Sequence, residues 1–433
     1  MIKLANEADA IYEAQYQTMQ KSGAAQRRAG SYQAFLERGL PNRRVESWHY
    51  TDLKAALAKP APLAAGDERK PLLARTHDSI RLVTLDGKFR PDLSDLSELP
   101  VGLRVRSLHE ALADDNPEIN VALWPDGAGA EDAAVALNGA LMQDGVVVSV
   151  SSGATIARPI EFVTLVGASL PEAIFTRSAL IVGAGASVKA IETAGVLERE
   201  TSNATQLNHL LALRLEHDSK LDMLSHISGF GGDSVSVFSL NAHLASHAQL
   251  KAHQLIEGGG LLRRQLFAAL DGEFAGASFN GVTLARGRQH ADTTLFVDHR
   301  QPHGASHERF RTILDEHAIG VFQGKIVVRP GAQKTDGVMQ SKAILLSDGA
   351  TMNNKPELEI FADDVKCGHG AACGRLDQDQ LFYLMARGLP RGEAQSLLLE
   401  AFANESLIDI SDYRSRDFVL ERIGGWLAER TPS

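Results

Sequence analysis

The sequence predicts a mainly β protein in which a long β-solenoid lies between an N-terminal and a C-terminal helical region. β-Branched residues alternate with polar ones from about residue 125 to 366, as in Val146–Val150 and Lys325–Val328, and this alternation is typical of strands. Signals for helices are almost absent over the same residues. A small residue also recurs there at near-regular intervals, which is typical of stacked coils that bury their faces against each other.

The recurring residue defines the period of the predicted solenoid, which we place at residues 125–370. Successive occurrences are separated by 32, 33, 29, 29, 28 and 27 residues. A flat β-sandwich would instead show turn signals about every 8–12 residues. Because the repeat is degenerate, its spacing alone leaves both folds open. The positions are Ala154, Ala186, Ser219, Ala248, Ala277, Ala305 and Ala332.

Residues 1–124 are predicted to form a helical domain with a short strand region. Apolar residues recur at helical spacing over residues 10–20 and 32–38. The pair Asp86-Gly87 is a typical hairpin turn and predicts two strands between residues 80 and 89.

The stretch from Arg43 to Thr51 is dense in aromatic residues and is predicted to be a docking segment. We expect Trp48 and Tyr50 to pack on the neighbouring domain.

Residues 371–433 are predicted to be a C-terminal helical domain. Asp377 is a predicted N-cap, and Gly388 is expected to end the helix that follows. Two more helices are expected over residues 391–404 and about 413–429. Apolar stripes on these two helices either pack on each other or dock a partner, and the pattern leaves both interpretations open.

Composition limits the classes of function. The chain carries a net charge of -10 from 54 acidic and 44 basic residues, which argues against binding to nucleic acid or to an anionic membrane. It has no run of 18 or more apolar residues, and its start lacks the pattern of a secretory signal. Two cysteines six positions apart do not make a secreted disulfide framework. We therefore expect a cytoplasmic protein with reduced thiols and no membrane contact.

The densest group of metal-binding residue types lies near residue 370. Cys367, His369 and Cys373 stand within seven residues, and thiolate and imidazole suit zinc and iron–sulfur clusters. Two interpretations remain open, which are ligation of a metal or cluster and a buried structural cysteine beside a hydrogen-bonded histidine. Three ligands do not complete a four-ligand site, so a fourth would come from elsewhere in this chain or from another chain.

Two further sequence patterns are similar to ligand-binding motifs. His299, His303 and His307 are four residues apart, but Pro302 would interrupt a helix, so we interpret them as surface or ladder histidines. The stretch Gly320–Lys325 is one residue short of a P-loop and is not followed by a hydroxyl residue. We interpret it as a turn between coils and expect this chain neither to bind a nucleotide nor to hydrolyse ATP.

Four segments of the chain match a known pattern. They are GLPNRRVESWHYTDL at 39–53, VDHRQPHGASHERFRTIL at 297–314, GKIVVRPGAQKTDGVMQSKAILLSDGATMNNKPELEIFADDVKCGHGA at 324–371 and LDQDQLFYLMARGLPRGEA at 376–394. Together they resemble the SufB/SufD family of scaffold proteins for iron–sulfur cluster assembly. The sequence KCGHG at 366–370 favours SufD-type members, because SufB-type members usually have an EHEA-like sequence there.

The resemblance implies a right-handed parallel β-helix between helical domains and a non-catalytic scaffold rather than an enzyme. It implies a heterodimer with a SufB-type subunit, docking of SufC-type ABC ATPase subunits, and a transient iron–sulfur cluster at the subunit interface. His369 would be a ligand at that interface, and Cys367 matches the motif cysteine, whereas Cys373 falls where family members commonly have another residue. The resemblance also raises flavin binding by the assembled complex, but no segment of this chain predicts a flavin site.

The resemblance also places the ATPase-docking region on the C-terminal helices. We expect the docking surface to include Leu381, Phe382, Leu384, Gly388, Leu398 and Phe402.

Three alternative functions remain open at this point. The first alternative is a β-helix enzyme acting on polysaccharide, the second is a SufB-type subunit, and the third is a homodimer that holds a cluster by itself. A homodimer is also an expected state of the isolated chain.

Overall fold

The protein is mainly β, with a β-solenoid of about eight coils between N-terminal and C-terminal helices. The computed structural model describes residues 7–21, 23–66, 68–71, 73, 75–114, 116–124, 126–167, 171–197, 204–410 and 412–429. The predicted fold class is confirmed.

In its described residues, the N-terminal region contains short and long helices around three strands. Both predicted helices are present, and the second begins earlier than predicted, at Ala25. Its first half is mainly polar and buries only Arg28, so the apolar pattern did not predict that half. The strand pair with its turn at Asp86-Gly87 is confirmed. The helices are α1 Glu7–Met19, α2 Ala25–Arg38, α3 Leu53–Ala56, α4 Leu108–Ala113, α5 Pro117–Leu123, α6 Ala128–Glu131 and α7 Ala133–Leu141, and the strands are β1 Ile80–Leu85, β2 Lys88–Phe89 and β3 Leu103–Ser107.

Each coil of the solenoid contributes one strand to each of two sheets, and neighbouring coils pair in parallel. Sheet I contains β3, β4 and the even-numbered strands that follow, and sheet II contains β1, β2, β5 and the odd-numbered ones. The strands are β4 Val146–Val150, β5 Thr155–Val166, β6 Ala173–Val182, β7 Ser187–Val196, β8 Gln206–Leu215, β9 Lys220–Ser228, β10 Val235–Leu244, β11 Gln249–Glu257, β12 Leu261–Leu270, β13 Gly276–Ala285, β14 His290–His299, β15 Ala305–Leu314, β16 Ile319–Val328, β17 Asp336–Leu345, β18 Thr351–Ile360 and β19 Lys366–Gly374.

The predicted repeat follows the turns that precede the strands of sheet II, and it coincides with these turns in the first four coils. Ala154, Ala186, Ser219 and Ala248 each stand directly before such a strand, as the spacing predicts. The last three predicted positions are displaced, because the residues directly before β13, β15 and β17 are Ala275, Gly304 and Thr335.

A second feature of the same turns explains why the sequence signal fades. One residue in each turn has a left-handed backbone, and its N–H donates to a carbonyl of the next coil. In early coils this residue is glycine, which adopts a positive φ without strain. In later coils it is a larger residue, so the glycine pattern disappears although the turn does not. The positions are Gly153, Gly185, Asp218, His247, Phe274, His303 and Lys334.

Rings at three of these positions stack along the outside of the solenoid. The Phe274 ring centroid lies 5.0 Å from that of His247 and 4.5 Å from that of His303, with nearly parallel planes. The neighbouring His299 is buried and hydrogen-bonded to Ser306. The interpretation of these histidines as ladder residues is confirmed for His303, which stacks in register with the coils.

We expect Phe274→Ala to lower the free energy of unfolding by about 1–2 kcal/mol, because it removes two stacked ring contacts. Urea unfolding followed by circular dichroism measures this change. Phe382→Ala, which truncates a ring that is 73% exposed on a C-terminal helix, is the matched control and should leave the midpoint unchanged. Equal midpoints for Phe274→Ala and the wild type would show that the stack contributes nothing to stability.

The two helical regions cover opposite outer faces of the solenoid. Helices α5 and α7 pack on sheet I, where their apolar residues meet Ala179, Leu210 and Ala212. The C-terminal helices α8 Gln378–Ala386, α9 Arg391–Asn404 and α10 Tyr413–Ala428 follow the last strand. Residues of α9 and α10 pack on the outer face of sheet II, against Leu255 and Val282 among others. The apolar stripes of α9 and α10 therefore pack on each other, as one of the two interpretations expected, and also on the solenoid, which the sequence did not predict.

The predicted docking segment holds the N-terminal helices to sheet I. Trp48 is 1% exposed, its indole N–H donates to Asp132 (2.9 Å), and the Arg263 guanidinium lies 3.8 Å from its ring centroid. Arg263 also donates to the buried Asp292 (2.5 Å). Docking is thus confirmed for Trp48, whereas Tyr50 is half-buried and packs edge-on against the neighbouring His49 ring.

One motif lies in a different element from the one predicted. The stretch Gly320–Lys325 is part of strand β16 and is not a turn. Its glycines are required by packing, because a Cβ at Gly324 would lie 2.1 Å from the Met339 sulfur and one at Gly320 would collide with Leu314 and Met352. Sequence alone did not separate a glycine that makes a turn from one that makes space inside a strand.

The division of the chain at residues 124/125 and 370/371 stays a prediction, and the secondary structure departs from it at both joints. Helix α7 lies after residue 125, and β19 runs past residue 370. The first joint differs because α7 packs on β6 and β8 and so continues the N-terminal layer.

Across the described residues, no helix is both long enough and apolar enough to cross a membrane.

Candidate functional site

The two ends of the solenoid differ in how they are closed. At the N-terminal end, β3 pairs antiparallel with β4 in sheet I, and the β1–β2 hairpin closes sheet II. At the C-terminal end, β18 and β19 are the last strands of their sheets. An edge strand presents unpaired backbone N–H and C=O groups that can bind another strand. The C-terminal end is therefore the open end of the solenoid, and it carries the predicted ligands.

Strand β19 directs alternate backbone groups towards the open edge. The Lys366 N–H donates to the Thr335 carbonyl of the preceding coil (2.8 Å). Because the backbone groups of successive residues in a strand point to opposite sides, residues 367, 369, 371 and 373 turn theirs to the open edge.

The side chains of those same four residues form one row that faces the solenoid interior. They pair with residues of β17 that are buried, and paired residues on neighbouring strands point to the same face of a sheet. No further coil covers the row in the described part of the chain, so Cys367 is half-buried and His369 and Cys373 are exposed. The pairs are Cys367–Gly337, His369–Met339, Ala371–Ser341 and Cys373–Ala343.

The row does not form a closed metal site by itself. At about 3.3 Å per strand residue, Cys367 and His369 are about 7 Å apart along the strand, and Cys373 lies about 20 Å from Cys367. Among the residues that the structure describes, no three His, Cys, Asp or Glu side chains lie close enough together to hold a metal ion. His369 is exposed and Cys367 is half-buried, so both stay candidate ligands.

The surroundings of Cys367 favour its protonated form. Burial raises the pKa of its thiol, and the nearby acidic side chains of Asp336 and Glu308 raise it further, whereas the Gly337 backbone N–H acts in the opposite direction. Burial also raises the pKa of the Cys373 thiol. Since the thiolate is the form that binds metals, an incoming cation must displace the proton from Cys367.

A buried acid beneath this row was missed by the sequence argument. Glu308 on β15 is 2% exposed and lies in the same inward row as Met339 and His369, two strands below His369. Burial raises its pKa to about 8. The Ser306 hydroxyl acts in the opposite direction but does not offset the effect of burial. The alternation of Ser306, Glu308 and Phe310 along the strand was a signal that would have placed this acid inside.

The two edge strands differ in the devices that prevent pairing with another chain. Strand β18 carries Lys355, Pro356, Glu357 and Glu359, and charges and proline protect an edge from unwanted pairing. Strand β19 has neither a charged residue nor a proline from Cys367 to Gly374. The unprotected edge is thus the one that carries Cys367 and His369.

The predicted docking residues on the C-terminal helices differ in exposure. Leu381 is 2% exposed and is unavailable to a partner, because its side chain is buried at the start of α8. Phe382 and Gly388 are exposed, and Leu384, Leu398 and Phe402 are half-buried. Tyr383, Met385 and Leu397 are exposed apolar residues that the prediction did not include.

Two family models match adjacent parts of the chain. The family model described as "SUF system FeS cluster assembly, SufBD core domain" matches residues 164–402. The model described as "SufBD protein N-terminal region" matches residues 75–162. The first match includes the solenoid from the end of β5 onwards, both candidate ligands and most of α9.

Individual relatives agree with this placement. The chain is 32% identical over 406 residues to the iron–sulfur cluster assembly protein SufD of Escherichia coli (strain K12), covering 90% of each chain. It is 31% identical over 387 residues to an iron–sulfur cluster assembly SufBD family protein of Synechocystis, covering 86% of this chain and 84% of the relative. A shorter match, 33% identical over 121 residues, covers 28% of this chain and 28% of SufD of Bacillus subtilis (strain 168).

Proposed function

We propose, from the premise that this chain belongs to the SufB/SufD family of iron–sulfur cluster assembly proteins, that it is a non-catalytic scaffold subunit. In this proposal, β19 pairs with a SufB-type subunit, and His369 contributes a ligand to a cluster that is built at the joint and then handed on. The cluster is cargo of the scaffold and is shared between the two chains. The observation that carries the proposal is that the strand with the candidate ligands is the unprotected open edge of the solenoid.

The arrangement of the edge supports pairing with another subunit. A partner strand hydrogen-bonded to residues 367, 369, 371 and 373 would extend sheet II and cover their inward side chains. Ligands from the partner would then stand opposite His369 and Cys367 and complete the set that this chain lacks. Cys367 is a ligand in this proposal, whereas Cys373 is too far along the strand to join the same small site.

Nucleotide-driven change in the complex would come from a partner, since this chain has no P-loop of its own. We place the docking surface for a SufC-type ATPase on the exposed side of α8, around Phe382, Tyr383 and Met385. Exposed apolar residues that lie together are typical of protein–protein contacts. Half-buried Leu398 and Phe402 would contribute from α9, whereas Leu381 would support the helix from below.

A substitution that places a charge on the inward face of β19 tests whether this strand pairs with a partner. We expect Ala371→Lys to abolish co-purification with the SufB-type subunit, because the lysine would be buried inside the joined solenoids without a counter-ion. Ala372→Lys is the matched control, since the neighbouring side chain points to the outer face and is exposed. Size-exclusion chromatography of the co-expressed subunits measures both.

Retention of the partner by Ala371→Lys would overturn the proposed edge. The same variant tests the isolated chain, because a homodimer built on this edge would become a monomer.

Membership of the family is also the reason for setting aside a polysaccharide-acting enzyme. Uronic-acid polymers incubated with the purified chain should remain uncleaved.

A further inference from the structure

A cleft in the N-terminal region lies outside the proposed assembly site. It has a volume of about 510 Å³, which is within the range of small-molecule sites. Helix α2 forms one wall with residues 26–34, and Trp124 and Ala130 lie opposite. Arg177 of β6 and residues of α7 form its floor.

The floor of the cleft carries a buried positive charge without a counter-ion. Arg177 is 1% exposed, and its guanidinium donates to the Asn138 side-chain oxygen (2.8 Å) and to the carbonyls of Leu123 (2.7 Å) and Val135 (3.0 Å). All three acceptors are neutral. Among the described residues, no carboxylate lies within ion-pair distance of this guanidinium. A buried charge that is not paired is costly, so the site favours a negatively charged ligand.

A second buried arginine strengthens the positive potential. Arg28 is also 1% exposed and donates to the carbonyls of Gly23 (2.9 Å), Ala140 (3.2 Å) and Met142 (2.9 Å). Burial lowers the pKa of Arg177 to about 9 and that of Arg28 to about 10, and the charge of Arg28 lowers the pKa of Arg177 further.

The walls of the cleft add a further cation and a flat apolar surface. The guanidinium carbons of Arg27 and Arg177 lie 5.9 and 5.8 Å from the centroid of the same Trp124 ring. The indole N–H donates to the Ser31 hydroxyl (3.3 Å), which holds the ring upright in the wall. The ring therefore lies between two cations, and a ligand beside it would contact the exposed Arg27 and lie above the buried Arg177.

Gly30 keeps the cleft open. It lies within α2, and no atom lies within 4 Å of the position that a Cβ would take. Glycine is among the poorest helix formers, and its φ here needs no glycine, so helix stability does not explain the residue. A longer side chain at this position would extend into the cleft.

We propose that this cleft binds a small organic anion, in which a phosphate monoester or carboxylate group contacts Arg27 above the buried charge of Arg177 and a flat apolar ring lies against Trp124. The site is separate from β19 and from the C-terminal helices, so the proposal does not rest on the assembly function.

The test uses the full chain and four small probes. Isothermal titration calorimetry compares phenyl phosphate and benzoate with inorganic phosphate and uncharged phenol. We expect phenyl phosphate to bind with a dissociation constant on the order of 0.1–1 mM and at least about tenfold more tightly than inorganic phosphate or phenol. Added salt should weaken the binding, since the attraction is electrostatic.

Two variants and a control decide whether the probe occupies this cleft. Gly30→Met should abolish binding while keeping or raising the unfolding temperature, because it fills the mouth and improves the helix. Arg27→Gln, at the exposed rim, should weaken binding several-fold. Gly425→Met, at an exposed helical glycine of α10 with nothing near its Cβ position, should leave binding unchanged.

The proposal is overturned by any of three results. These are no saturable binding of either aromatic anion, unchanged binding in Gly30→Met, and phenol binding as tightly as phenyl phosphate. Binding of inorganic phosphate as tight as that of phenyl phosphate would overturn the role assigned to the Trp124 face.

Discussion

Replacing His369 by alanine should reduce cluster formation to background when this chain is reconstituted anaerobically with SufB-type and SufC-type subunits. The imidazole lies on the open edge of the solenoid, and the local residues form no metal site without a partner. Loss of one ligand from a shared site leaves too few donors to hold the cluster. Visible absorption of bound iron and sulfide after removal of excess reagents measures the result.

The matched control is His307→Ala. His307 is also an exposed histidine on a strand of sheet II, but it lies two coils away. The complex should still assemble in both variants, so that a loss of absorption reports the ligand rather than the pairing. Wild-type absorption in His369→Ala would contradict the proposed ligand. Absorption on the isolated chain that disappears with Cys367→Ser or Cys373→Ser would show that local thiols hold the metal.

The second large effect concerns Glu308 and the dependence of stability on pH. Its carboxyl group has a pKa of about 8 in the folded chain because of burial, compared with an ordinary value of 4.5. Below about pH 4.5 it is neutral in both states. Between about 4.5 and 8 the unfolded chain releases this proton while the folded chain retains it, so folding stability is lost as pH rises.

Glu308→Gln should remove this loss, because an amide does not ionise. The stability of the variant relative to the wild type should therefore increase from pH 5 to pH 8, by about 3–4 kcal/mol. Buried histidines such as His253 and His299, whose pKa values burial lowers to about 4, give an opposite slope. They are present in both chains and cancel in the difference.

Chemical unfolding of both chains at several pH values measures the difference. Glu273→Gln is the control, since it makes the same replacement at an exposed position in a turn. A difference between Glu308→Gln and the wild type that does not change with pH would show that Glu308 ionises normally in the folded chain.

The sequence predicted the solenoid because each coil repeats a local pattern. Turn residues and alternating side chains depend on neighbours along the chain, so they leave a signal at a fixed spacing. The signal weakened in the later coils, where Phe274, His303 and Lys334 stand at the left-handed positions that glycine holds in the early coils. Gly320 and Gly324 were misinterpreted for the related reason that their small size serves contacts with distant residues.

For the site, the sequence identified Cys367 and His369 because metal ligands are recognised by residue type and spacing. It did not identify Glu308, whose importance comes from burial between strands of other coils. It also did not show that Leu381 is buried whereas Tyr383 and Met385 are exposed. Neighbouring residues of one helix differ in exposure according to what packs against each side.

By itself, the sequence determined the solenoid class, the docking of Trp48 and the choice of Cys367 and His369 as candidate ligands, since each rests on a short-range pattern. Only the tertiary structure decided which end of the solenoid is open, that β19 is the unprotected edge, and that Arg177 is a buried cation beneath a cleft. The physical reason is that edges, burial and unpaired charge are properties of what surrounds a residue. Those surroundings are brought together by strands and helices that lie far apart along the chain.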